Sequence, residues 1–113
     1  MAKSSIYLRF LNLSHAVSSS LIGVDLLALR LLESIGVAHS NGEALTVTDA
    51  MSLHAIASPA TMHRKLNDLL EAGLIEQAYE GKNRRTKYLH LTNKSNTYFA
   101  NMGSAMLNAI NKV

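Results

Sequence analysis

The sequence predicts a mainly α chain carrying one small β-hairpin, an α+β fold. Three observations predict it. From Ser58 to Gly73 a Ser-Pro start, an apolar face at helical period and a terminal Gly define a helix. From Leu74 to Leu91 two short strand-type runs flank a turn rich in cations. Apolar stripes at helical spacing then occupy both ends of the chain. A capped helix with a basic outer face, followed directly by a cationic hairpin, is the arrangement of a winged helix-turn-helix. The full expectation is that fold with flanking N- and C-terminal dimerisation helices, as one winged-helix domain over residues 1–113.

The first element, within residues 1–22, is a helix on which Ile6, Phe10, Leu13 and Val17 recur at i, i+4, i+7 and i+11. Asp25 then caps a Leu-rich helix through Leu26, Leu27, Leu29, Leu32 and Ile35 to about His39. Asn41-Gly42 stops it, or Gly36 earlier. This helix reads as scaffold, and its Arg30 as a surface cation. Leu45-Thr46-Val47 fits a small strand. Thr48 or Thr46 can cap a short helix through about Ile56, with Met51, Leu53 and Ile56 as its apolar content and Ala57-Ser58 as the turn that follows.

The next helix has the strongest local signals. The Ser58 hydroxyl can accept a hydrogen bond from a free first-turn amide. Pro59 sits at the first helical position, where its missing N–H is harmless and its φ already suits a helix. Thr61 stands where a capping box would use Glu or Gln. Met62, Leu66, Leu69 and Leu70 form the apolar face, and Gly73 supplies a left-handed terminus. The other face carries Thr61, Arg64, Lys65 and Asp68, with His63 and Asn67 at its flanks; nearly all can hydrogen-bond to phosphates or base edges.

Residues 74–79 and 86–91 read as paired strands. Their connection, Glu80-Gly81-Lys82-Asn83-Arg84-Arg85, combines Gly and Asn for the turn with three cations, and Lys87 makes four within six residues. Such a cluster is self-repelling unless a polyanion lies against it. The alternative is a solvated hairpin tip whose charges deter strand-to-strand aggregation. After a cap between Asn93 and Ser95, residues 93–113 form a last helix with Phe99, Met102, Met106, Ile110 and Val113 on one stripe. The two terminal stripes are either intramolecular core or an assembly surface. One small core rarely needs both, which favours a homodimer.

The run from Leu45 to Leu91, under half the chain, resembles the winged-helix domain of MarR-type bacterial transcription regulators. In that family a recognition helix ending in a Leu-Glu-x-x-Gly-Leu-Ile-like phrase precedes a wing with Asp-x-Arg and then Leu-Thr. The phrases here are Leu70-Glu71-Ala72-Gly73-Leu74-Ile75, shifted by one residue, Asn83-Arg84-Arg85, and Leu91-Thr92. The resemblance implies that Arg85 is the wing arginine directed at the minor groove. It also implies that the terminal helices intertwine in a dimer, and that small-molecule effectors are a family-level expectation. Asn83 departs from the Asp that helps hold such wings, and the chain is shorter than typical members.

Composition sets the outer bounds. At 113 residues there is room for one domain. No run of about 18 apolar residues predicts a membrane span, and Arg9, Asn12, Ser14 and His15 interrupt any secretory signal in residues 1–22. The absence of Cys excludes disulfides, thiolate zinc sites and thiol redox chemistry. A cytoplasmic location is the simplest fit. The net charge of +3 is uneven: residues 1–57 hold three Lys/Arg against four Asp/Glu, and residues 58–113 hold eight against four. His15, His39, His54, His63 and His90 are scattered over separate elements without metal-ligand spacing, and neither a nucleophile-elbow motif nor a phosphate-binding Gly-rich loop is present. No enzyme activity, metal or cofactor is expected.

The expected function is sequence-specific binding of double-stranded DNA by a homodimeric transcriptional regulator, with repression as the default. Ser58, Thr61, His63, Arg64, Lys65 and Asn67 are the candidate contacts of the reading helix, and Lys82, Arg84, Arg85 and Lys87 those of the wing. Ile6, Phe10, Leu13, Val17, Phe99, Met102, Met106 and Ile110 are the candidate dimerisation residues. Two other readings remain: a winged-helix protein-interaction module, and a non-specific architectural DNA binder. The polar and cationic side chains on the reading face favour DNA over protein, which would be met by exposed Leu, Phe or Tyr.

Overall fold

The computed structural model describes residues 2–53 and 55–111, so His54 and Val113, both named above, lie outside the described residues. The element order is α1 (Lys3–Ser18), α2 (Leu26–Ser40), α3 (Val47–Met51), α4 (Pro59–Glu71), β1 (Ile75–Tyr79), β2 (Lys87–Leu91) and α5 (Asn93–Asn111). This is a mainly helical α+β chain with one two-stranded antiparallel sheet. It groups into two compact units, one spanning Gly23–Ser95 and one combining the segment up to Ile22 with the residues from Asn96 onward.

In the larger unit α2 starts as its sequence implies. The Asp25 side chain accepts a hydrogen bond from the Ala28 amide at 2.9 Å, satisfying one of the free donors of the first turn. The helix runs through Gly36 to Ser40, and Gly42 leaves it at φ +80°. Its buried face is Ala28, Leu31, Leu32 and Ile35. Leu26, at the edge of the expected stripe, is exposed.

Residues 45–47 were expected as a strand, and here the structure differs. The Thr46 hydroxyl accepts from the Asp49 amide at 3.0 Å while the Asp49 carboxylate accepts from the Thr46 amide at 3.0 Å. This reciprocal capping box satisfies two free donors at once and draws Val47 into α3. The strand shrinks to one bridge, Thr46 opposite Tyr88, with the Leu89 amide donating to the Leu45 carbonyl at 2.8 Å. The helix also ends at Met51 rather than near Ile56. The Ser52 hydroxyl donates back to the Thr48 carbonyl at 3.1 Å, a local bond that competes with helix propagation.

Helix α4 buries Met62, Leu66 and Leu69, with Leu70 half-buried at the margin. Its exit is a Schellman turn. With Gly73 at φ +74°, the Gly73 amide donates to the Leu70 carbonyl at 3.1 Å and the Leu74 amide to the Leu69 carbonyl at 3.0 Å. Leu69 and Leu74 are both fully buried, supplying the apolar contact that accompanies such a turn. The hairpin then pairs Ile75 with Leu91, Gln77 with Leu89 and Tyr79 with Lys87 along one face. Ile75 and Leu89 on that face join Leu31, Leu32, Ile35, Ala50, Met62, Leu66, Leu69 and Leu74 in the core. Each such Leu, buried from water, contributes roughly 1.5–3 kcal/mol relative to its exposed state.

The cap of α5 is Thr92, one residue before the expected window. Its amide donates to the Ser95 hydroxyl at 2.9 Å, and the Ser95 amide donates to the Thr92 hydroxyl at 3.3 Å. Ser95, fully buried, acts in this box as Glu or Gln does in the commoner one.

In the smaller unit α1 extends only to Ser18, and hydroxyls of Ser18, Ser19 and Ser20 bend back onto the carbonyls of His15, Ala16 and Val17 where it ends. The buried positions of α5 are Tyr98, Ala105 and Ala109, spaced i, i+7 and i+11. This displaces the expected stripe: Met106 and Ile110 are each 55% exposed, and Phe99 and Met102 are half-buried. Small Ala residues mark the packed face because they admit close approach of the helix, a signal that a count of large apolar residues passes over.

Candidate functional site

The residues singled out on α4 divide by their position around the helix. Ser58, His63, Arg64 and Asn67 are exposed and Thr61 is half-exposed. The Ser58 hydroxyl accepts from the Thr61 amide at 3.4 Å and donates to the Thr61 hydroxyl at 3.1 Å; the Arg64 guanidinium donates to that same hydroxyl at 3.2 Å. This chain of bonds lays Arg64 back along the first turn. One turn further on, the Asn67 amide nitrogen lies 3.5 Å from His63 Nδ1.

Lys65 is placed differently from the other cations. Its ammonium donates to Asp25 Oδ2 at 2.6 Å and lies 3.8 Å from Asp68 Oδ2, with its side chain only 18% exposed. The residue that caps α2 therefore also neutralises a cation of α4. The hydrogen bond from Lys65, followed by that from the Ala28 amide, holds the Asp25 carboxyl below its ordinary pKa. Nothing local to either residue in sequence announces this pairing across 40 positions.

The hairpin turn is organised by Asn83. Asn83 Oδ1 accepts from the Arg85 amide at 2.9 Å, an Asx turn, and Asn83 Nδ2 donates to the Thr86 hydroxyl at 3.3 Å. Gly81, at φ +60°, provides the left-handed residue that this turn requires. Lys82, Arg84, Arg85 and Lys87 are all exposed. Tyr79, 40% exposed, has the Arg84 guanidinium carbon 5.7 Å and the Lys87 ammonium 5.9 Å from its ring centroid. At the opposite edge of the hairpin His90 Nε2 lies 3.4 Å from Glu80 Oε1.

These parts meet in one polar groove of about 460 Å³. His63, Asn67 and Leu70 of α4 form one wall, Gln77, Arg85, Thr86 and Lys87 of the hairpin the other, and Thr46 to Thr48 close one end. Of the helix and hairpin candidates, His63, Asn67, Arg85 and Lys87 are thus brought together, while Lys65 in its ion pair, Ser58, Thr61 and Arg64 toward the start of α4, and Lys82 and Arg84 in the turn lie outside the groove lining. Thr46, Thr48, Gln77 and Tyr79 were not among the expected site residues. The signal for Thr46 was available as Thr-x-x-Asp, and Thr48 follows it on α3; Gln77 and Tyr79 depend on the hairpin register. Chemically the groove offers amide, hydroxyl, imidazole, guanidinium and ammonium groups, a donor set suited to phosphate oxygens and base edges.

In the smaller unit four of the expected assembly residues, Ile6, Phe10, Met106 and Ile110, line a second depression, and Val17, Phe99 and Met102 do not. Ile6, Tyr7, Phe10, Met106, Ala109 and Ile110, with Lys3, surround an apolar hollow of about 570 Å³. Leu13 of that set instead borders a more polar depression with Arg9, Asn12, Asn108 and Asn111. Tyr7, Leu8, Met106, Leu107 and Ile110 all stand more than half exposed. Among the described residues no three His, Asp or Glu side chains gather as a metal site needs, and no helix is long and apolar enough to cross a membrane.

No family model and no curated protein sequence matches the chain. Solved structures of other proteins resemble its fold. One is the crystal structure of RV1404 from Mycobacterium tuberculosis, at TM-score 0.67 and 18% identity over 88% of this chain. Another is the YusO protein from Bacillus subtilis, at TM-score 0.62 and 18% identity over 95% of this chain. The chain spans 65% of the length of the first and 72% of the second. At this identity the likeness is one of fold: a mainly helical chain with one small antiparallel hairpin, shared with proteins from two bacteria.

Proposed function

We propose that this chain is a winged helix-turn-helix DNA-binding regulator of the MarR-like kind, acting as a homodimer on a near-palindromic site. One observation carries the reading: His63 and Asn67 of α4 and Arg85 and Lys87 of the hairpin border a single groove. In this reading α4 enters a major groove, where Arg64 and Asn67 are the side chains able to make bidentate contacts with base edges. Lys82, Arg84, Arg85 and Lys87 grip phosphates or the adjacent minor groove. Lys65 serves as a strut for α4 and contributes less. Repression follows most simply, because a dimer seated on a promoter blocks polymerase.

The dimer rests on the apolar hollow between α1 and α5 and on the exposed Met106, Leu107 and Ile110 around it. A two-fold pair would set the two reading helices about 34–36 Å apart, one turn of DNA. Four wing cations per subunit, neutralising phosphates in both, give a log–log salt slope of about −7.

The test is titration of the purified protein against a labelled fragment of its own upstream DNA, over a range of salt and with random duplex as competitor. Competitor-resistant binding with that steep slope supports the reading. Binding that random duplex removes points to a non-specific architectural binder, and no binding at low salt points to a protein-interaction module.

A further inference from the structure

We infer that Tyr79 is a positioning residue of the wing, a platform that holds Arg84 and Lys87 in place before any polyanion arrives. The inference rests on the DNA reading above and assigns to that surface a residue that carries no charge of its own. Tyr79 ends β1 and is the register partner of Lys87, the first residue of β2, so the two side chains leave the same face of the hairpin. The Lys87 ammonium accordingly lies 5.9 Å from the ring centroid. Arg84 arrives from the turn, and its guanidinium carbon lies 5.7 Å from the same centroid. Both distances fall within the range where the ring quadrupole attracts a cation.

The effect on binding follows from entropy. A free surface Lys or Arg surrenders rotamer freedom when a phosphate immobilises it. A ring shared by two such side chains exacts part of that loss in the unbound state. It also keeps two like charges near each other, one of which, Lys87, lines the groove wall with Arg85. The Asx turn of Asn83 fixes the backbone between Asn83 and Arg85 and ties it to the Thr86 hydroxyl; Tyr79 does the same for the Arg84 and Lys87 side chains. Tyr79 itself stands 40% exposed, outside the core, so its ring is not needed to fill the interior.

A platform and a phosphate contact differ in one measurable respect. Removing a cation reduces the number of counterions released on binding and flattens the salt dependence. Removing the platform leaves every charge in place, so affinity falls while the slope is unchanged. The experiment compares wild type, Tyr79→Phe, Tyr79→Leu and Lys87→Ala for duplex affinity across salt, with thermal unfolding of each. Proton NMR records the ring-current displacement of the Arg84 Hδ and Lys87 Hε signals.

The expected result is a loss of about tenfold in dimer affinity for Tyr79→Leu, with slope and Tm unchanged. Tyr79→Phe should retain wild-type binding, Lys87→Ala should show a flatter slope, and upfield Arg84 and Lys87 signals should disappear in Tyr79→Leu. Wild-type affinity in Tyr79→Leu overturns the inference while leaving the DNA reading intact. Equal losses in Tyr79→Phe and Tyr79→Leu also overturn it, by assigning the effect to the hydroxyl. A wild-type chain that binds no duplex overturns the DNA reading and this inference together, before any substitution is compared.

Discussion

Under the proposed DNA-binding reading, the exposed Arg64 and Arg85 have surroundings that suit them to different work. Arg64 is laid along the first turn of α4 by its bond to the Thr61 hydroxyl, which limits the directions in which its planar fork can point. Such restraint suits base readout, where each good bidentate pair is worth about 1–3 kcal/mol of discrimination. Arg85 projects from a turn whose backbone Asn83 holds. Arg85→Ala should therefore weaken binding to all duplexes alike, whereas Arg64→Ala should also narrow the gap between a preferred site and random DNA. Competition assays on both variants decide this, and identical losses on every sequence would sink the division of labour. Asn83 carries its own prediction. In Asn83→Ala the Arg85 amide loses its acceptor and should exchange with solvent faster, while Asn83→Asp, which keeps a carboxylate oxygen in that place, should leave its protection near the native level.

At the scale of elements, the contact between α2 and α4 includes a switchable charge. The folded-state pKa of Asp25 is lowered, so its contribution is fully present above the unfolded value of about 3.9 and is lost as pH falls below it. Because the carboxylate is 53% exposed, solvent screens the pair, and its share of stability should stay below about 1 kcal/mol. Urea unfolding from pH 7 to pH 3 should thus show a small acid-side loss in the wild type that Asp25→Asn abolishes; an unchanged profile in the variant would assign the loss to other carboxylates. Gly73→Ala is a sharper test of α4, since its φ of +74° penalises a Cβ by roughly 1–2 kcal/mol even with open space around it.

What could be read from sequence at this scale follows the range of the interactions. The Ser58-Pro59 start, the Gly73 stop and the Asp25 cap depend on neighbours within four residues, and all three stand as expected. The capping boxes at Thr46 and Thr92 are equally local; the first is legible as Thr-x-x-Asp, whereas the second has Ser as its third residue, which the usual pattern overlooks. The Lys65 ion pair and the Tyr79 platform depend on contacts between elements. For α5, helical period alone left Phe99, Met106 and Ile110 favoured over Tyr98, Ala105 and Ala109, because period selects a stripe only after large side chains have been weighted above small ones.

For the molecule as a whole, the proposed dimer makes reading and assembly separable. Ile110→Lys places a charge on the apolar hollow at a position already 55% exposed. It should yield a monomer by sedimentation with unchanged helical content, and a salt slope of about −3.6, half that of the dimer. A dimer that survives the substitution would move the interface elsewhere. A last consequence concerns how the molecule opens. The Thr92 hydroxyl donates to the Gly73 carbonyl and the Lys94 ammonium to the Ala72 carbonyl, both at 2.6 Å, across 19 and 22 residues of chain. These bonds close a ring whose interior is the hairpin, and the ring is fastened to the C-cap residue of α4 and to the glycine after it. Peeling the hairpin away breaks both bonds at the exit of that helix, so the two should form one cooperative foldon. In native-state hydrogen exchange the amides of Gly73, Leu74 and Leu89 should then share a single opening free energy and a single denaturant dependence.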